Sequence, residues 1–167
     1  MKGQDQIFSK GNDEWETNPQ TFMALHDEFD FEVDVCASDS NALLPVYFTA
    51  KRSALKERWR IYFDGKRLTR YFMNPPYGDT AEHMRHAYAQ AMTHKLLVVC
   101  LVASRTDTRW WHDLVWDLEQ HKCRPGVQVR FLKGREMFYE NGQPRVNDKG
   151  QKQRAPFPSV VVIFDGR

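Results

Sequence analysis

Phe72-Met73-Asn74-Pro75-Pro76-Tyr77-Gly78 is an apolar run that stops at an amide, two prolines and an aromatic ring. Pro75 and Pro76 lack an N–H, have a fixed φ and hold the residue before each of them in extended geometry. The loop is therefore stiff and its carbonyls point in set directions. A stiff loop keeps hydrogen-bond acceptors still. The exocyclic amine of a nucleobase is a weak nucleophile because its lone pair is conjugated with the ring. Acceptors on both of its hydrogens draw the nitrogen toward tetrahedral geometry and free that pair. The Asn74 side-chain oxygen and the Pro75 carbonyl are candidates for the two acceptors. Tyr77 offers a flat face for an extruded base, a contact worth roughly 1–3 kcal/mol. Asn74, Pro75, Pro76 and Tyr77 are thus the expected catalytic residues. Read blandly, Asn-Pro is only a turn after a strand.

Outward from this loop the chain alternates strand and helix. Asp64-Gly65 is a turn signal ahead of a strand over Arg70 to Met73. Asp79 and Glu82 form a capping-box pattern, and Met84, Ala87, Tyr88, Ala91 and Met92 make an apolar helical stripe. Leu96 to Ala103 is continuously apolar, as befits a strand covered on both faces, so a parallel crossover is expected. Ser104-Arg105-Thr106-Asp107-Thr108 then lies on the same sheet edge as Asn74, and Trp111, Leu114, Val115 and Leu118 predict a helix. On the N-terminal side, Asn18-Pro19 with Phe22, Leu25 and Phe29 predicts a helix from Pro19 to Phe29. Phe31, Val33 and Val35 alternate with Glu32, Asp34 and Cys36 as a first strand, followed by a polar turn, Ser38 to Asn41. Tyr47 to Trp59 reads as a short strand or loop and a short helix. From Val127 the pattern becomes successive strands, at 127–132, 135–139 and 159–164, which suggests an antiparallel end to the sheet. Residues 141–158, rich in Gly, Pro, Lys and Arg, read as a basic loop, either solvent-borne or able to reach a DNA groove.

With 167 residues, 41% hydrophobic and 13% aromatic, one domain spanning 1–167 with a full core is expected, with a flexible polar start at 1–12 and little room for a separate recognition domain. The longest apolar run falls far short of the ~20 residues that cross a bilayer, so no membrane partner is expected. Cys36, Cys100 and Cys123 are scattered, and His83 and His86 lack metal-site spacing, so neither a disulfide nor a metal is indicated. The net charge of +2 conceals segregation: residues 1–40 hold two Lys/Arg against ten Asp/Glu, residues 41–70 eight against two, and residues 122–154 nine against three. Two basic blocks flanking a near-neutral centre suit a polyanion-binding protein, since neutralised phosphates release counterions.

Asn74-Pro75-Pro76-Tyr77 resembles the signature of amino-methyltransferases that use S-adenosylmethionine, and four specified residues arise by chance in a chain of this length roughly one time in a thousand. The chain as a whole resembles the phage-type DNA N6-adenine methyltransferases, the Dam-like group. The resemblance implies a compact Rossmann-like α/β methyltransferase fold, mostly parallel with an antiparallel C-terminal edge, and S-adenosylmethionine as cofactor. It implies that Trp15 and Thr17, a Trp-x-Thr element before the first helix, and Asp34 with Cys36, at the end of the first strand, help hold that cofactor. Trp15 could equally close the core. Asp34 is where the family places its acidic cofactor residue, within reach of a methionine amino group beyond a strand's carboxyl end. A Gly-rich loop after that strand is missing, and Ser53 stands where relatives often carry an acid. Arg105 and Thr106 resemble a family segment, which implies a role near the target base or cofactor, and they join Arg135, Arg145, Lys149, Lys152 and Arg154 as the expected DNA contacts. DNA is the expected partner, and the protein is expected in the cytoplasm of a bacterial host cell as a monomer or homodimer. N4-cytosine methylation poses the same chemical problem and stays open. So do two readings of other classes: a protein glutamine methyltransferase, for which the basic blocks have no obvious purpose, and a catalytically silent DNA-binding relative, against which the intact loop argues.

Overall fold

The computed structural model describes residues 16–167; Trp15 and the polar start at 1–12 lie outside them. Five strands make the central sheet: β1 (Val33–Asp34), β2 (Arg70–Met73), β3 (Leu97–Ala103), β4 (Val127–Phe131) and β5 (Ser159–Asp165). Their order is β1-β2-β3-β5-β4. The pairs β1–β2 and β2–β3 are parallel, whereas β5 runs antiparallel to both β3 and β4. Four strands therefore share one direction. The reversed strand is β5, one place in from the edge, and β4 closes the sheet.

Helices cover both faces. Pro19–Phe29 forms α1, begun by Asn18, whose side chain accepts from Gln20 N, and by Pro19 at the first helical position. Its Phe22 and Leu25 pack on Phe72, Leu97, Val99, Leu101, Val161 and Ile163. The alternate residues of the same strands, among them Tyr71, Met73, Val98, Cys100, Val102, Val160 and Val162, meet α2 (Thr80–His94) and α3 (Arg109–Leu114) on the other face. Period-2 alternation between two apolar layers is why β3 reads as an unbroken hydrophobic run. In α2 the predicted stripe is the buried one, with Met84, Ala87 and Ala91 innermost.

Several local expectations are revised. The helix predicted through Leu118 stops at Leu114, and Trp116–Asp117 pairs with Lys122–Cys123 as a hairpin. Asp117 Oδ1 accepts from Glu119 N and Gln120 N, so an Asx turn outcompetes another helical turn and leaves Leu118 exposed. No helix forms between Ala54 and Trp59; a turn there buries both, with Trp59 Nε1 donating to the Ala54 carbonyl. The strand expected over 135–139 reduces to Tyr139–Glu140, paired with Gln143–Pro144. Asp64-Gly65 does turn a hairpin, both residues at positive φ, joining Tyr62–Phe63 to Lys66–Arg67.

Residues 141–158, read as a loop, belong to a small ladder of their own. Isolated bridges pair Met137 with Arg154 and Val146 with Lys152, and Phe138, Ala155 and Gln153 donate to the carbonyls of Gln153, Glu136 and Arg145. At the tip, Asn147 Oδ1 accepts from Lys149 N and Gln151 N. Because this stretch joins the carboxyl end of β4 to the start of β5, it emerges at the sheet end where β2 delivers Asn74.

The segregated charge partly cancels on folding. Arg70 meets Asp30 and Glu32, Lys66 meets Glu32, and Arg130 makes a two-pronged pair with Glu28. Arg67 donates to the His94 carbonyl. Lys66, Arg67 and Arg70 thus sit at the amino end of β2, opposite Asn74, and brace the fold.

Candidate active site

β2 ends at the fully buried Met73, and Asn74 is the first residue beyond the sheet. A single turn of 3-10 helix, Tyr77–Asp79, leads into α2. Thr80 Oγ1 donates to the carbonyls of Pro76 and Tyr77, both at 3.1 Å, and Asp79 N donates to Pro76 O at 3.2 Å. These two carbonyls are therefore committed to the helix entry. The predicted capping box does not form: Asp79 makes no side-chain cap, because the preceding turn keeps it from the extended geometry an N-cap needs. Asn74 Nδ2 donates to Thr17 Oγ1 at 2.9 Å. Among the described residues nothing donates to Asn74 Oδ1 or to the Pro75 carbonyl. The loop thus leaves the Asn74 side-chain oxygen and the Pro75 carbonyl available while the next two carbonyls are engaged.

The Tyr77 ring is met edge-on by Phe157, with centroids 4.8 Å apart, and by Phe138 at 6.4 Å. A cleft of about 300 Å³ opens on one side of the loop, lined by 35–38, 48–50, 53–55, Asn41, Asp79 and His83. A narrower one of about 20 Å³ lies on the other side, among Thr17, Glu136, Phe138 and Ser159. Asn74 and Tyr77 line both and form the wall between them. Its walls mix the apolar surfaces of Val35, Phe48 and Leu55 with the polar groups of Ser38, Asn41, Thr49 and Ser53. Asp79 supplies the only carboxylate among the residues lining the larger cleft.

The other sequence-predicted residues fall in different places. Cys36 lines the larger cleft; burial, and then the charge of Asp34, push its thiol pKa up, so it stays protonated at neutral pH. Thr17 lines the narrow cleft and holds Asn74. Asp34 lines neither. Its register partner is Phe72, on the α1 face, and it is 3% exposed, with Oδ1 accepting from Cys36 N and Oδ2 from Leu43 N. It shapes the 36–43 turn from within. Arg105 and Thr106 are exposed in the turn after β3, where Ser104 N donates to Pro158 O. Arg135, Lys149, Lys152 and Arg154 are exposed and Arg145 half-buried on the ladder. Three residues here went unpredicted: Phe138, Phe157 and Glu136. Phe157 had a signal in its stiff Pro156-Phe157-Pro158 setting; the others had none.

Burial raises the Asp34 carboxyl from 3.8 to about 6, against the two N–H bonds that favour its charge. The native state then retains a proton that the unfolded chain releases between those values. This contribution to stability is present below pH 3.8 and lost as pH rises to about 6. Its size is at most on the order of 3 kcal/mol. Asp34→Asn should remove that slope: urea denaturation at a series of pH values should show wild type losing stability relative to the variant between pH 4 and 6, and parallel curves would show that Asp34 titrates normally.

A family model described as DNA N-6-adenine-methyltransferase (Dam) matches residues 4–165. The chain belongs to this family. No curated protein is similar enough to add to that match. Membership makes the chain an enzyme, a DNA N6-adenine methyltransferase, and implies S-adenosylmethionine as methyl donor. The match runs through the acceptor loop, both clefts and the basic ladder. Among the described residues no group of three or more His, Cys, Asp or Glu could share a metal ion, and no helix is long and apolar enough to cross a membrane.

Proposed function

We propose that the acceptor loop methylates adenine N6 by direct transfer, with catalysis residing in placement. The observation that carries this reading is that, among the described residues, nothing donates to Asn74 Oδ1 or to the Pro75 carbonyl, while the Pro76 and Tyr77 carbonyls are engaged by the helix entry. Each takes one N6 hydrogen of an adenine turned out of the duplex, and the nitrogen lone pair leaves conjugation. Such acceptors are fixed before the reaction and cost no reorganisation during it. Among the described residues no side chain beside the loop is assigned as a dedicated strong base, and none is needed until the amine has become cationic.

The larger cleft fits the methyl donor in its chemistry, with apolar walls for an adenosine ring and polar groups for a ribose and an amino acid. Cys36, Ser38, Ser53 and Asp79 would hold it, and Asp34 would act through the 36–43 turn. When bound, S-adenosylmethionine supplies an electrophilic methyl on a sulfonium. The four co-directional strands, with the loop at the carboxyl end of β2, support a Rossmann-like methyltransferase fold. Such an enzyme meets its DNA in the cytoplasm of a bacterial cell.

The direct test is to methylate plasmid DNA with labelled cofactor, digest it to nucleosides and identify the labelled base. Label on N6-methyl-2′-deoxyadenosine supports the reading, and label on N4-methyl-2′-deoxycytidine overturns it. Tyr77 provides a second measure. Tyr77→Ala should lose about one to two powers of ten in activity, the equivalent of roughly 1–3 kcal/mol of stacking. Tyr77→Phe should turn over nearly as wild type in the same assay; a large loss there would assign a role to the hydroxyl.

A further inference from the structure

An amide has two unlike ends, and a catalytic Asn74 works only if its oxygen, not its NH2, faces the amine. If it were flipped, donors would oppose donors. The structure holds the productive orientation: Asn74 Nδ2 donates to Thr17 Oγ1 at 2.9 Å, 57 residues away in sequence, so that Oδ1 is the end turned away from Thr17. The chain on either side of Thr17 is anchored. Glu16 N donates to Tyr139 O, and the Glu16 carboxylate accepts from Asn141 N at 3.0 Å and Gly142 N at 2.8 Å. On the other side Asn18 begins α1, accepting from Gln20 N through its side chain and from Phe22 N through its carbonyl. A hydroxyl held between two such anchors is a rigid reference for the amide. Thr17 also lies on the narrow cleft and not among the residues lining the larger one.

We infer that Thr17 is a positioning residue for catalysis, fixing the Asn74 amide with Oδ1 toward the target amine, and does not hold the cofactor. This rests on the reading of Asn74 as an acceptor for N6. Thr17→Val keeps the shape and removes the acceptor, so the amide loses its reference. The expected result is a fall in kcat of roughly 10- to 100-fold, with cofactor affinity by calorimetry and KM for DNA within about threefold of wild type. Thr17→Ser, which keeps the oxygen, should restore most of kcat. In an Asn74→Ala background, Thr17→Val should cost nothing further, because there is no amide left to orient.

Three outcomes would overturn the inference: normal kcat in Thr17→Val, weakened cofactor binding with kcat intact, or a full further loss in the Asn74→Ala background. Failure of the underlying reading looks different, since Asn74→Ala alone would then retain turnover. Thermal unfolding of each variant separates loss of fold from loss of orientation. If Thr17→Val is less stable, Thr17→Ser still decides the matter through its kcat.

Discussion

Asn74→Ala is expected to reduce methyl transfer by at least about 10²- to 10³-fold, the loss found when one fixed hydrogen-bonding partner of a reacting group is removed. The alanine variant leaves the Pro75 carbonyl as the sole acceptor, and one acceptor cannot engage both hydrogens of the amine. Cofactor binding should change little, because the cleft offers many other surfaces, from Val35 through Leu55 to His83. Single-turnover incorporation of labelled methyl, set beside calorimetric titration of the cofactor, measures both. Turnover within tenfold of wild type would remove Asn74 from the mechanism. A variant dead in transfer but also unable to bind cofactor would make Asn74 a cleft residue instead. Asn74→Asp refines the test. A carboxylate keeps an acceptor for the amine and can accept from the Thr17 hydroxyl, so it should retain more activity than alanine.

The acceptor loop was legible in the sequence because its chemistry is local. Two adjacent prolines, an amide and a ring dictate a stiff acceptor-bearing turn wherever they occur. Helix α1 was legible for a similar reason, its cap, its proline and its apolar spacing all agreeing. The role of Asp34 was not. Alternation places Val33 and Val35 on a buried face, but says nothing of the opposite face, and α1 with Leu43 and Leu44 covers that side as well. A carboxylate that reads as half-exposed is therefore enclosed. Thr17 and Asn74 are another such case: their hydrogen bond depends on how α1 docks at the carboxyl end of β2, a long-range fact that no window of residues contains. Charge runs misled for the same reason. Lys66 and Arg70 belong to a basic block by sequence, yet Asp30 and Glu32 neutralise them in space.

Arg135, Lys149, Lys152 and Arg154 together are expected to carry much of the affinity for DNA. All four are exposed on the ladder whose base places Phe138 and Phe157 against Tyr77. The ladder leaves the sheet at the end that bears Asn74, so a duplex lying across the catalytic loop passes it. Replacing the four by alanine should make the logarithm of DNA affinity fall less steeply with the logarithm of salt, by roughly 0.9 for each phosphate contact removed. Sequence preference should persist if all are phosphate contacts. Where one reads a base edge, its single variant should relax preference at one position, at about 1–3 kcal/mol. The fold should survive, because these side chains are exposed and the main-chain bonds of 136–155 need none of them. Lys66→Ala makes a matched control: it removes one cation at the far end of β2, where Glu32 already holds it, and should leave the salt slope unchanged. Fluorescence anisotropy of a labelled duplex across 50 to 200 mM salt, a range over which about six to ten phosphate contacts change affinity by 10³ to 10⁵, resolves the difference. An unchanged slope in the quadruple variant would make the ladder a bystander. The next candidates for the phosphate contacts would then be Arg105 and the exposed Lys51 and Arg52, which flank the residues lining the larger cleft, Arg52 lying over the Phe48 ring.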